Sequence, residues 1–114
     1  MNDFVMRRWE LTHDPGDQAP RHRHHHSDEG FVVLRGRLEV LIGDERSILQ
    51  AGEHVTIPAG TVHTFATVDP EGADVIAVMT PEVDHLVTAL HAAATDEERA
   101  AVWEHHHSER VSAG

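Results

Sequence analysis

The sequence predicts an all-β domain, an antiparallel sandwich or barrel, followed by two short helices. Three observations carry that expectation. Between Phe4 and Met79 the apolar residues come in short runs, separated at close intervals by Gly, Pro and Asp, which is the punctuation of antiparallel strands rather than of βαβ units. From Thr80 the apolar period lengthens to that of a helix. The length, 114 residues, is that of one domain able to bury a core without a covalent staple, and the chain has no cysteine from which to make one.

Each element follows in order. Residues Phe4 to Leu11 alternate imperfectly, with Arg7, Trp9 and Leu11 on one face, and predict an edge strand. Asp14-Pro15-Gly16-Asp17 reads as a turn. After the histidine-rich stretch that starts at His22, strands are expected at Phe31–Leu34, Leu38–Ile42, Arg46–Leu49, His54–Ile57, Val62–Thr67 and Asp74–Met79. Gly43-Asp44 is suited to a tight hairpin, because glycine accepts the positive φ such turns require. Val83, Leu86, Val87, Leu90 and Ala94 then form a helical stripe, with Thr80 able to cap it and Pro81 acceptable in its first turn. Thr95-Asp96-Glu97-Glu98 has the form of a capping box opening a second helix, whose apolar side includes Val102 and Trp103. The chain thus divides into a barrel over residues 1–80 and a helical extension over 81–114. The extension's stripes need a surface, supplied by the outer face of the barrel or by a partner subunit.

Composition narrows the function. Nine basic against 20 acidic residues give a formal charge of −11, which repels nucleic acid and anionic membranes. No apolar run approaches the roughly 20 residues a membrane span needs, and a cytoplasmic location is expected. Twelve histidines are many for this length, and both His triplets are internal.

The stretch His22 to Gly36, HRHHHSDEGFVVLRG, organises the rest. His22 and His24 project from one face of an extended chain, so their rings can grip one object. Glu29 follows His24 at an odd spacing and would face the other way on an unbroken strand; the polar His25, His26, Ser27 and Asp28 suit the required interruption. Two neutral imidazoles and a carboxylate converging from neighbouring strands are a ligand set for a first-row metal. His25 and His26 are read as loop residues, with His26 an alternative acid or base that could swing over the metal. His105-His106-His107 falls near the end of the second helix, where cationic side chains complement the helix dipole.

At this point the pattern resembles a known family. Gly16, five residues, His22-Arg23-His24, four residues, Glu29, six residues, Gly36 matches the first motif of the cupins, over 16–36. Gly52, five residues, Pro58-Ala59-Gly60, two residues, His63 matches the second, over 52–67, except that Thr67 stands where asparagine is usual. The chain is similar to the small single-domain cupins, and the resemblance implies an antiparallel double-stranded β-helix, or jelly roll. It also implies His22, His24, Glu29 and His63 as ligands of one divalent transition metal: Fe, Mn, Ni, Co, Cu or Zn, with Fe(II) leading.

Three imidazoles and one carboxylate leave a divalent ion with a net charge of about +1, attractive to a small anionic or chelating molecule. The faces that carry the ligands continue through Phe31 and Val33 and through Phe65 and Thr67, with Val40 alongside, so these five are expected to line a largely apolar substrate pocket. Arg35 could hold a substrate carboxylate at its mouth, or be a surface arginine before a turn. With no tyrosine in the chain, activation by the metal suits the site better than a protein nucleophile. The leading expectation is an iron-dependent oxygenase. Alternatives are a non-redox isomerase, decarboxylase or lyase, and a ligand-binding or sensing module without turnover. Val32 and Leu34, apolar on the face away from the pocket, need either the helices or a second subunit over them, and a homodimer is expected.

Overall fold

A computed structural model describes residues 3–12 and 19–111. The turn expected at Asp14–Asp17, and with it the first motif's Gly16, lies outside the described residues. The strands are β1 (Val5–Leu11), β2 (His22–His24), β3 (Glu29–Arg35), β4 (Leu38–Ile42), β5 (Glu45–Leu49), β6 (His54–Ile57), β7 (His63–Thr67) and β8 (Ala73–Met79), followed by α1 (Pro81–Ala92), α2 (Asp96–His105) and β9 (Ser108–Arg110). They form two antiparallel sheets, ordered β1-β8-β3-β6 and β5-β4-β7-β2-β9. The chain passes repeatedly from one sheet to the other, and the two inner faces enclose the core of a jelly roll.

The strands form where apolar residues recur every second position. Phe31 and Val33 of β3, Leu38 and Val40 of β4, Phe65 of β7, and Val75, Ala77 and Met79 of β8 all point between the sheets and are buried. Trp9 of the edge strand joins them, its ring 6.0 Å from Phe31 and 6.3 Å from Phe65, while those two phenyls are 5.1 Å apart. Turn chemistry sets the registers. Gly43 has φ 60° at the first central position of the two-residue loop that pairs Ile42 with Glu45, the type II′ pattern. Gly36 and Gly72 serve close approach instead. A Cβ on Gly36 would lie 2.4 Å from the Gly72 carbonyl oxygen, and one on Gly72 would lie 2.0 Å from that of Leu11.

Both helices begin on the caps expected of them. Thr80 accepts from the Val83 N–H at 3.2 Å and Thr95 from the Glu98 N–H at 3.1 Å. Glu98 closes the box one residue early, accepting from the Ala94 N–H at 2.6 Å. The helices do not lie on the outer face of the barrel. Val83 and Leu86 are buried over its open end, against Trp9 and Leu11 of β1 and beside Trp103 of α2, so the barrel mouth is the surface their stripes cover. Leu34 consequently remains 47% exposed, and the helices are not what covers it. After α2 the chain turns at His107, in the left-handed region at φ 54°, and returns as β9 to pair with β2. That strand was not expected. Three residues with no apolar alternation carry no strand signal of their own.

Candidate metal centre

Glu29 reaches the two histidines because the strand is broken where the spacing requires. β2 belongs to the five-stranded sheet and β3 to the four-stranded one, and the loop 25–28 carries the chain across. Backbone bonds hold that crossing: Gly60 N–H donates to the His24 carbonyl at 2.7 Å, and Ala59 N–H to Asp28 Oδ1 at 2.8 Å. The Pro58-Ala59-Gly60 turn thus locks β2 and its following loop in place. His63, at the head of β7, lies directly opposite His22 in the ladder.

The four side chains meet. His22, His24, Glu29 and His63 are all buried, and one ligand atom from each lies within 4.8 Å of the others. The ring centroids are 4.2 Å apart for His22 and His63, 4.9 Å for His22 and His24, and 5.2 Å for His24 and His63. Every imidazole is oriented through its other nitrogen. Nδ1–H of His22 donates to the Pro20 carbonyl at 2.6 Å and that of His63 to the Thr61 carbonyl at 2.9 Å. His24 Nδ1 lies 2.8 Å from Ser108 Oγ, whose own hydrogen goes to the His106 carbonyl at 3.3 Å, so His24 donates here too. With Nδ1 protonated, each Nε2 carries a lone pair.

Among the described residues, two of those lone pairs and one carboxylate oxygen have nothing to bind. His24 Nε2, His63 Nε2 and Glu29 Oε2 are buried without a hydrogen-bond partner. Glu29 Oε2 is 2.9 Å from His24 Nε2 and 3.7 Å from His63 Nε2, but the geometry makes no hydrogen bond of either approach. Acceptors so crowded and so dry are costly unless a cation sits among them, and three imidazoles with one carboxylate fit a divalent transition metal. Burial, reinforced by the neighbouring His63, lowers the His22 pKa to about 4, which keeps that ring neutral and available as a ligand at pH 7.

His22, His24 and Glu29 open onto a cavity of about 710 Å³, while His63 stands behind them. The wall differs from the one expected. Of the five predicted pocket residues only Phe65 lines it. Phe31, Val33 and Val40 are no more than 1% exposed, closed between the sheets as core, and Thr67 is buried away from the space. The apolar lining comes instead from Trp9 and Leu11 of β1, from Val83, Leu86, Val87 and Leu90 of α1, and from Trp103 of α2, whose ring is 5.2 Å from His22. The helical stripe was legible in the sequence; its destination was not, since periodicity does not say which surface a stripe meets.

Two other candidates fall outside the cavity. His26 is exposed, its ring 5.0 Å from that of His107, and it does not line the space beside the ligands. Arg35 leaves the Glu29 face because a bulge between Val33 and Arg35 shifts the register and sets it opposite Asp74, to which its guanidinium is bound at 3.2 Å. His107 is tied through Nδ1 to Glu82 at 2.5 Å.

Fold and site together define a double-stranded β-helix with a buried three-histidine, one-glutamate centre able to hold one metal ion. The chain belongs to the cupin family: residues 9–79 match the family model for the cupin domain. It is 35% identical over 80 residues to quercetin 2,3-dioxygenase of Bacillus subtilis, an alignment that covers 70% of this chain and 24% of that enzyme. The chain therefore spans about a quarter of that relative's length. Among solved structures it is similar to a cupin-2 domain protein from Shewanella frigidimarina, with TM-score 0.58, 28% identity and 68% and 71% of the two chains covered. A recombinant oxalate oxidase in complex with glycolate superposes at TM-score 0.58 with 25% identity, over 68% of this chain and 41% of the other. No helix among the described residues is long and apolar enough to cross a membrane.

Proposed function

We propose that this cupin is an iron(II)-dependent oxygenase acting on a small anionic or chelating organic molecule. The observation that carries the reading is the buried, partnerless acceptor set of His24, Glu29 and His63, completed by His22 and facing an apolar cavity. Held by these four side chains, a divalent ion would supply Lewis-acid polarisation of an oxygen donor and, as iron, access to dioxygen. The rest falls to the chain. His63 closes the rear of the centre, so substrate can approach only from the cavity side. Trp103, Val83 and Leu86 give the cavity an apolar wall beside the ligands. The fixed Nδ1–H donors keep the three rings in the ligating tautomer.

Acid–base side chains on the wall are few: apart from the candidate ligands and three arginines, only Glu10 and His91 line it. This supports a reaction driven at the metal, and the likeness to proteins named for dioxygenase and oxidase reactions points the same way. The test is metal analysis of protein purified without chelators, followed by oxygen uptake with small chelating acids and aromatics. Near-stoichiometric iron with substrate-dependent uptake, both lost in His63→Ala, is the expected result. Turnover without oxygen would replace the reading with non-redox metal catalysis, and a ligand recovered unchanged would replace it with a binding module.

A further inference from the structure

The cavity wall contains a cation that neither the barrel motifs nor the family match include. β9 returns from α2 to pair with β2, setting Ser108 opposite His24 and Arg110 opposite His22. Directly opposed residues share a sheet face, with Cβ atoms about 5 Å apart. The side chain at 110 therefore stands on the same face as the metal ligands, and Arg110 lines the cavity beside Trp103.

The other arginines that border the space are engaged. Arg8 Nη2 is bound to Asp74 at 2.9 Å, on the outer side of its sheet. Arg99 is bound to Asp96 at 2.8 Å and to the Ala93 carbonyl at 3.3 Å. For Arg110, no hydrogen bond or ion pair among the described residues holds the guanidinium; its charge is felt at Asp96, which Arg99 already neutralises. Glu10, the other carboxylate of the lining besides Glu29, is 3.9 Å from Arg8. A chain of net charge −11 thus has, at the cavity onto which the candidate metal ligands open, a guanidinium that no described residue holds.

We propose that Arg110 anchors the anionic group of the substrate, and that the substrate is an organic carboxylate whose apolar body lies along Leu86, Leu90 and Trp103. The inference deepens the function proposed above and rests on its assignment of this cavity as the substrate site. Guanidinium matches carboxylate with two parallel N–H donors, and the cavity's remaining lining offers an apolar body contact rather than further hydrogen bonds. The helical extension is then part of the binding site, because it supplies both the apolar wall and, through β9, the anchor.

Both tryptophans of the chain, Trp9 and Trp103, line the cavity, so occupancy is readable as intrinsic fluorescence. The probe is cyclohexanecarboxylate, with its neutral primary amide as control, titrated into metal-loaded protein and again after chelator treatment. The expected result is saturable binding of the carboxylate in both forms, weakened about tenfold to a hundredfold in Arg110→Gln, as for loss of a charged hydrogen-bond pair. Arg110→Lys should recover part of the loss, and amide binding should be indifferent to Arg110→Gln. Metal content and far-UV circular dichroism of the variants verify that the ligand shell and fold persist.

Equal carboxylate affinity in Arg110→Gln and the parent would overturn the proposal. So would saturation only in metal-loaded protein with no effect of Arg110→Gln, which would seat the anion on the metal, or no saturable binding to the parent protein at all. Because oxygen uptake is not the readout, the two readings fail separately. Arg110-dependent carboxylate binding without oxygen consumption would uphold the anchor while removing the oxygenase.

Discussion

Replacing Ser108 with alanine removes the acceptor that fixes His24 and should weaken metal binding without removing a ligand. Ser108 Oγ and the His24 ring are both buried, and their 2.8 Å contact is the one hydrogen bond that keeps the proton on Nδ1. Deleting it leaves a buried N–H without an acceptor, a cost of about 1–3 kcal/mol. The proton also gains an alternative. On Nε2 it would face Glu29 Oε2, 2.9 Å away, and the resulting pair would compete with the cation for two ligands at once. Loss of such an orienting partner typically lowers metal affinity by about 10- to 100-fold, the same range as the hydrogen-bond cost at about 1.4 kcal/mol per decade. Competition against a chelator of known affinity, with cobalt or zinc as the titrant, measures the effect directly. Ser108→Thr retains the hydroxyl and should recover most of the affinity. An affinity in Ser108→Ala within twofold of the parent would refute the reasoning and reduce β9 to a structural strand.

Further outcomes can be measured independently. In metal-free protein, stability should fall as pH drops from 6.5 to 4, because the unfolded chain then takes up a proton that buried His22, with its pKa of about 4, refuses. The slope from this group approaches about 1.4 kcal/mol per pH unit, and a His22→Gln variant whose urea midpoint shows the same fall would remove the assignment. Gly72→Ala should cost more than about 2 kcal/mol, since φ is +78° and the new Cβ would meet the Leu11 carbonyl at 2.0 Å; a melting temperature within a degree of the parent would contradict the geometry. We further propose a homodimer through the outer face of the four-stranded sheet, where Leu34 and Met6 are about half exposed; light scattering should give twice the chain mass for the parent and the monomer mass for Leu34→Glu.

Much of this protein could be read from residues alone. Period-two runs such as Phe31–Val33 and Leu38–Val40 determined the strands, because one side of each had to be dry; helical spacing from Val83 to Leu90 and the caps Thr80 and Thr95 determined both helices. The odd step from His24 to Glu29 required a break in the chain, and the structure places the crossing between sheets there. His22, His24 and Glu29 were legible as a candidate ligand group for the same reason, their spacing being local to one short segment; His63 joined them only through the resemblance to the second cupin motif.

Only the tertiary structure decided what surrounds the candidate metal centre. Phe31, Val33 and Val40 share a face with the ligands, but the opposing sheet fills that space, and no single-strand pattern reports the distance to another sheet. The bulge that takes Arg35 to Asp74 depends on the pairing of β3 with β8. The helices cover the barrel mouth, and β9 carries Ser108 and Arg110 to the ligands across more than eighty residues of chain, as in the contact of His24 with Ser108. Side-chain chemistry and local spacing specify which atoms can bind a metal; what substrate reaches them is set by contacts between segments distant in sequence, and those exist only once the chain has closed on itself.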